Sequence, residues 1–187
     1  MSFDYTPEQE AIREAVQKIC ADFPESYWLE RDADGVFPEA FYRAMGDAGW
    51  LGLAIPEEYG GPGLDQISYG LIMQELERCD SGLRSTASVQ SSLVMYPIWK
   101  YGTEEQKQKY LPKLATGEMI GCFGLTEPDH GSNPGGMLTN FKDKGDHYLL
   151  NGTKMWISNA PFADIAVVWA KNEDGHTPLQ VAEKQHN

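Results

Sequence analysis

Residues 121–136 read GCFGLTEPDHGSNPGG. The stretch opens as an apolar strand, meets an acid and a proline at Glu127 and Pro128, and dissolves into glycine, serine and asparagine. Strand residues followed by that cluster predict a strand whose end opens into a turn of small residues. It also marks where the 187-residue chain changes character, with helical periodicity before it and short strands after it.

Upstream, Thr6, Pro7 and Gln9 have the spacing of a capping box with proline in the first helical turn, and Ile12, Val16, Ile19 and Phe23 follow along one face. A second helix is expected over 38–49, burying Phe41, Met45 and Ala48, with Gly49 as a left-handed cap. The break IPEEYGGPG precedes a third run over 65–79, in which Tyr69, Ile72, Leu76 and Cys79 recur at helical spacing. Another helix is expected to start near Ser85, carry Val89, Leu93 and Tyr96, and end at Pro97. Thr103 with Gln106 predicts a capping box for a following short helix.

Downstream, MIGCFGLT, HYLL, TKMWIS, DIAVVWA and PLQVAEK are rich in β-branched and aromatic residues and are separated by Gly, Asn, Asp and Pro. They read as strands of an antiparallel sheet. The expected class is therefore α+β, with an all-helical unit over 1–118 and an incomplete antiparallel β-domain over 119–187.

Composition narrows the function. Hydrophobic residues make up 41% of the chain, as in a globular protein, and the net charge of −13 leaves no overall basic field for nucleic acid or an anionic membrane. No apolar run approaches the ~20 residues that span a bilayer, and the sequence MSFDYTPEQEAIREA has neither the basic start nor the apolar core of a signal peptide. Cys20, Cys79 and Cys122 lie far apart with no CxxC pair, which suggests neither a zinc site nor a disulfide framework. The expected setting is cytoplasmic, or the mitochondrial matrix in a eukaryote.

Two motifs, GLTEPDHGSN and NGTKMWISNA, carry a resemblance. In order and character they resemble the acyl-CoA dehydrogenase family, in which a helical domain precedes a β-domain with a TEP...GS turn and a later W-I-T/S-N segment. The stretches beginning LERCDSGLRSTASVQSS and NGTKMWISNAPFADIAVVWA are most similar to the glutaryl-CoA dehydrogenases. The resemblance covers essentially the whole chain.

The resemblance implies FAD as cofactor and α,β-dehydrogenation of an acyl-CoA thioester, with decarboxylation of glutaryl-CoA to crotonyl-CoA in the glutaryl branch. Phe123, Leu125 and Thr126 match the family's flavin contacts at the strand end, where backbone and hydroxyl groups can meet the polar edge of an isoalloxazine ring. Ser132 matches the position that meets cofactor phosphate and the thioester arm, with Gly131 giving close access. Trp156, Ile157 and Ser158 match the second flavin wall, an indole face with a hydroxyl donor beside the reactive nitrogen.

At the substrate end, the match to ERCDSGLRS implies that Arg84 and Ser85 hold a distal carboxylate, with Glu77 nearby. A guanidinium grips a carboxylate through two parallel donors, and a monocarboxylic chain would leave that charge unpaired. The glutaryl enzymes usually carry tyrosine just before this arginine, where Leu83 stands here. His130 and His147 read as solvated turn residues without a catalytic role.

Family members continue into a C-terminal helical bundle that supplies the catalytic glutamate, much of the flavin site and most of the oligomer interface. None of the acids here matches that glutamate, so no catalytic residue is expected within these 187 residues. The resemblance further implies an electron-transfer flavoprotein as electron acceptor and association with a second copy or a complementing C-terminal half. The alternative reading is a degenerate or split fragment acting as a non-catalytic binding or interaction module.

Overall fold

Thr6 accepts a hydrogen bond from the Gln9 amide at 3.2 Å, and Gln9 Oε1 accepts from the Thr6 amide at 3.0 Å. This capping box starts helix α1, Pro7–Ala21, in the structure, a computed structural model that describes residues 4–176 and 179–183. Ile12 and Val16 bury its inner face against α4, Gln66–Cys79, which begins at Asp65 with the aspartate side chain accepting from the Ile67 and Ser68 amides. Between them lie α2, Glu25–Asp34, and α3, Glu39–Asp47.

Helix α2 went unforeseen because it fully buries no residue and offers only a weak apolar stripe, with Tyr27 and Trp28 half-buried. Helix α3 is shorter than expected. Phe41 and Met45 are buried, but Ala48 caps the helix and is exposed, after which Gly49 takes the left-handed φ of +79°.

Helix α5, Ser81–Ser88, starts four residues before the expected position because Asp80 accepts from the Leu83 amide at 2.8 Å. It runs on through a π-helical segment, Val89–Met95, into α6, Tyr96–Tyr101, so the expected stop at Pro97 does not occur. A proline clashes with the carbonyl four residues back and lacks an N–H, but the wider π turn makes room and Pro97 falls in the first turn of α6. Helix α7, Glu104–Ala115, carries the second capping box.

The strands are β1 Gly121–Gly124, β2 Asn140–Asp143, β3 Tyr148–Asn151, β4 Ile165–Trp169 and β5 Leu179–Glu183. Pairings β2–β3 and β4–β5 are antiparallel as expected, whereas β1 and β4 run parallel, with Phe123 opposite Val167. The chain leaves β1, makes the β2–β3 hairpin and returns to the same end. There Asp164 N donates to Ile120 O at 2.7 Å and Ile120 N to Asp164 Oδ2 at 2.8 Å, setting the two strand starts side by side. Strand β2 was not foreseen, and TKMWIS is no strand.

Two apolar clusters organise the helices. One joins α1, α3, α4 and α5 around Phe41, Tyr42, Ile72 and Leu76; the other joins the π segment, α6 and α7 to Ile165 and Val167 of β4. Among the described residues no helix is long and apolar enough to cross a membrane.

Candidate functional site

The site begins where β1 docks on the π-helical segment. Gln90 is fully buried; its Nε2 donates to Leu114 O at 3.0 Å and Met119 O at 2.9 Å, while its Oε1 accepts from Gly121 N at 2.9 Å. A Cβ on Gly121 would stand 2.4 Å from Val94 Cγ1, so only glycine permits this approach. The start of β1 is thereby held beside the helix that carries Val89 and Leu93.

Residues 154–159 arch over the exit of β1 and are tied to it at several points. Lys154 Nζ donates to Leu125 O and to Glu127 Oε1, both at 2.9 Å, Met155 N donates to Thr126 O at 2.9 Å, and Asn159 Nδ2 donates to Gly121 O at 3.2 Å. These bonds replace a strand ladder, which is why TKMWIS departs from its β propensity.

The arch holds Trp156 with φ of +59° and its residue 82% exposed, and Asn159 with φ of +67°. A bulky residue in the left-handed region is strained, and an outward indole forgoes burial. Both costs are met by the surrounding bonds. The result is a flat aromatic face exposed to solvent.

Glu127 is the hub of this arrangement. Its carboxylate is 4% exposed and accepts from Leu138 N at 2.6 Å, Thr139 N at 2.9 Å and Lys154 Nζ. Burial by itself would raise its pKa, but the amide and ammonium donors outweigh burial and hold it down at about 2. The acid is therefore ionised and structural.

Six of the expected residues, Phe123, Leu125, Thr126, Trp156, Ile157 and Ser158, line one cavity of about 240 Å³, with Val89 and Leu93 completing the wall. The hydroxyls of Thr126 and Ser158 are not taken up by any bond between described residues. One apolar wall, one aromatic face and two hydroxyls fit the edge and face of a planar heteroaromatic ring such as isoalloxazine.

The other expected residues lie elsewhere. Ser132 is exposed in the turn after Thr126 and does not line the cavity. Arg84 Nε donates to Glu77 Oε2 at 2.6 Å in a partly exposed ion pair, and half-buried Ser85 stands one helical turn before Val89. His147 Nδ1 lies 2.7 Å from exposed Asp146.

Val89 and Leu93 as cavity wall, and Gln90, Glu127, Lys154 and Asn159 as supports, are additions to the residues expected from the sequence. Lysine among the apolar residues of TKMWIS was the available signal, since a charge is costly in a strand that faces a core.

Residues 6–118 match the family described as acyl-CoA dehydrogenase, N-terminal domain, and residues 122–185 match acyl-CoA dehydrogenase, middle domain. The chain belongs to the acyl-CoA dehydrogenase family.

It is 42% identical over 165 residues to the glutaryl-CoA dehydrogenase of Desulfococcus multivorans, covering 87% of this chain and 41% of the relative. It is 40% identical over 160 residues to the human mitochondrial short-chain specific acyl-CoA dehydrogenase, covering 83% and 39%. The crystal structure of a glutaryl-CoA dehydrogenase from Mycobacterium smegmatis in complex with FADH2 superposes with a TM-score of 0.90 at 41% identity, over 96% of this chain and 46% of that one. The chain thus spans about half the length of the relatives it matches.

Proposed function

We propose that this chain supplies the helical unit, residues 1–118, and the flavin-contacting start of the β-domain, residues 119–187, of an enzyme that dehydrogenates an acyl-CoA thioester between its α and β carbons. The observation that carries this is the convergence of Phe123, Leu125, Thr126, Trp156, Ile157 and Ser158 on one cavity. FAD, when bound, supplies the acceptor for the hydride that leaves the β carbon.

The chain's own residues orient and shield. Thr126 and Ser158 offer hydroxyl donors to the polar edge of the ring, Trp156 covers one face, and Val89 and Leu93 keep water from the other. Ser132, in its exposed turn, would meet the phosphate and thioester arms. The carboxylate that removes the α proton is supplied from outside these residues. We assign the electron acceptor to an electron-transfer flavoprotein, and the rest of the site to a second copy or a complementing C-terminal half.

For the acyl chain we propose a dicarboxylyl thioester of the glutaryl type, decarboxylated to crotonyl-CoA. Identities of 42% and 40% to glutaryl and short-chain enzymes do not separate the two, so the support is local. Arg84 bonds Glu77 through Nε alone among the described residues, in a partly exposed pair, and an exposed ion pair contributes little. Exchanging Glu77 for a substrate carboxylate at the two terminal nitrogens is therefore inexpensive, and Ser85 adds a donor.

The cofactor reading is tested by the visible spectrum of the desalted protein with FAD added. A retained, perturbed flavin band is expected, and its loss in Ser158→Ala with Trp156→Ala; a protein that passes no flavin through desalting contradicts it. For the substrate, Arg84→Met in the complete enzyme is expected to lower kcat/KM for glutaryl-CoA by about 100-fold and leave butyryl-CoA nearly unchanged. Equal turnover of the two substrates by the unmutated enzyme would sink the glutaryl assignment.

A further inference from the structure

Cys20 and Cys79 are distant in sequence, yet the fold brings them together. Cys20 is the penultimate residue of α1, Cys79 is the last residue of α4, and the two helices pack side by side. Both side chains pack against the same helical core and face the same cleft. Both are half-buried and line an open cleft of about 870 Å³, together with Phe23, Trp28, Glu75 and Arg78. A small oxidant can reach them there. Cys122, by contrast, is buried in β1.

Cys20 and Cys79 are 59 positions apart in the sequence and become neighbours only through the packing of α1 on α4. The pair is not part of a metal centre, because among the described residues no group of three or more His, Cys, Asp and Glu side chains could hold an ion.

We propose that Cys20 and Cys79 form a redox-active dithiol, which a peroxide converts to an intramolecular disulfide joining the end of α1 to the end of α4. The two thiols are not equivalent. Proximity to Cys20 lowers the pKa of Cys79 against burial and the nearby Asp80 charge, while proximity to Cys79 and burial raise that of Cys20. Cys79 is thus the attacking sulfur and Cys20 the resolving one.

The Cys79 thiolate attacks one peroxide oxygen and the O–O bond breaks. The departing hydroxide takes the proton that Cys79 gave up, leaving one water and a sulfenic acid. Cys20 then attacks the Cys79 sulfur, forming the S–S bond and expelling hydroxide, which leaves as the second water with the Cys20 proton. Two thiols lose two electrons and two protons, and the peroxide is reduced to two waters. Because Asp80, the next residue, caps α5, the disulfide ties the corner that carries Glu77 and Arg84 to the end of α1.

The test is one equivalent of hydrogen peroxide added to the purified protein, followed by iodoacetamide under denaturing conditions and a non-reducing peptide map. The expected product links the Cys20 and Cys79 peptides, reverts with dithiothreitol and leaves Cys122 alkylated as a thiol. Cys79→Ser should slow peroxide consumption by about tenfold or more, whereas Cys20→Ser should still react and accumulate a dimedone-trappable sulfenic acid. The unmutated map stands whether or not the variants fold. Free alkylation of both cysteines after peroxide, a link between two chains instead of within one, or Cys20→Ser reacting as slowly as Cys79→Ser would each overturn the proposal.

Discussion

The helical half and the sheet half of this protein are held by different means. Around α1, α4 and α7 the interior is made of side chains closed off on every side, such as Leu53, Ile72, Leu76, Ile98 and Leu111, all fully buried. Strand β3 instead leaves Tyr148, Leu149 and Leu150 exposed, and Trp156 stands in solvent. Apolar area accounts for the first region. In the second, a few directed polar bonds from Gln90, Lys154, Glu127 and Asn159 fix the backbone where burial does not. The cavity belongs to the second region, so its shape depends on anchors that can be removed one at a time.

The strongest way to break that contrast is Lys154→Met. It leaves the carboxylate of Glu127 buried without its cation, a change that costs about 4 kcal/mol when a buried pair is split. Arg43→Ala removes a pair of equal formal charge, Arg43 with Glu39, on the exposed surface of α3 and should cost about 0.3 kcal/mol. Urea denaturation of the two variants, with flavin retention measured alongside, should show a large loss of both properties in the first and almost none in the second. Similar losses in both would mean that the arch is held by packing after all.

Acid should act on the same hub. The Glu127 carboxyl is held down at about 2 from an ordinary value of 4.5, so its stabilisation is fully present above 4.5 and is lost as the pH falls from there toward 2. The size is about 3 kcal/mol. Glu75 is also held low, because bonds from Gln17 and Arg13 outweigh its burial, so total acid sensitivity belongs to both halves. The comparison with Glu127→Gln isolates the hub: the slope of stability against pH between 4.5 and 3 should flatten in that variant.

Gly121→Ala tests the seam between the halves. The new methyl group would meet Val94 at 2.4 Å, and overpacking of this kind costs about 2 kcal/mol. Val94→Ala should restore part of the loss in the double variant, which a thermal melt of all four proteins would show as a positive coupling. Strict additivity would place the strain elsewhere.

Much of the helical half was legible because a helix announces itself locally. Thr6 with Gln9 and Thr103 with Gln106 specify starts within four residues, and the 3.6-residue recurrence of Ile72 and Leu76 names a buried face. Helix α2 escaped because its stabilising contacts are the aromatic cluster of Phe23, Tyr27, Trp28 and Phe41, made across elements. The sheet half was less legible for the same reason. Parallel pairing of β1 with β4 and the arch at Trp156 depend on bonds between residues some thirty to forty positions apart, and no local propensity encodes them. Two motifs point to six of the residues that line the cavity but not to Val89 and Leu93, and its supports were hidden because Glu127 and Lys154 look like surface charges until they meet.

The smallest effects sharpen the contrast from the helical side. Removing a capping hydroxyl costs about 1 kcal/mol, so Thr6→Ala and Thr103→Ala should each lower stability by that amount. Thr103→Ala also loosens the first turn of α7, where Glu104 accepts a hydrogen bond from the Tyr59 hydroxyl at 3.1 Å. That turn is at the opposite end of α7 from Leu114, whose carbonyl receives Gln90 and so supports the cavity. A frayed first turn shortens the helix without disturbing its far end, because helix ends open residue by residue. Both capping variants should therefore melt slightly earlier yet retain flavin as the unmutated protein does. Thr103→Ala losing flavin as fully as Lys154→Met would show that the cavity is held through the helical core, and the division of labour between the halves would have to be abandoned.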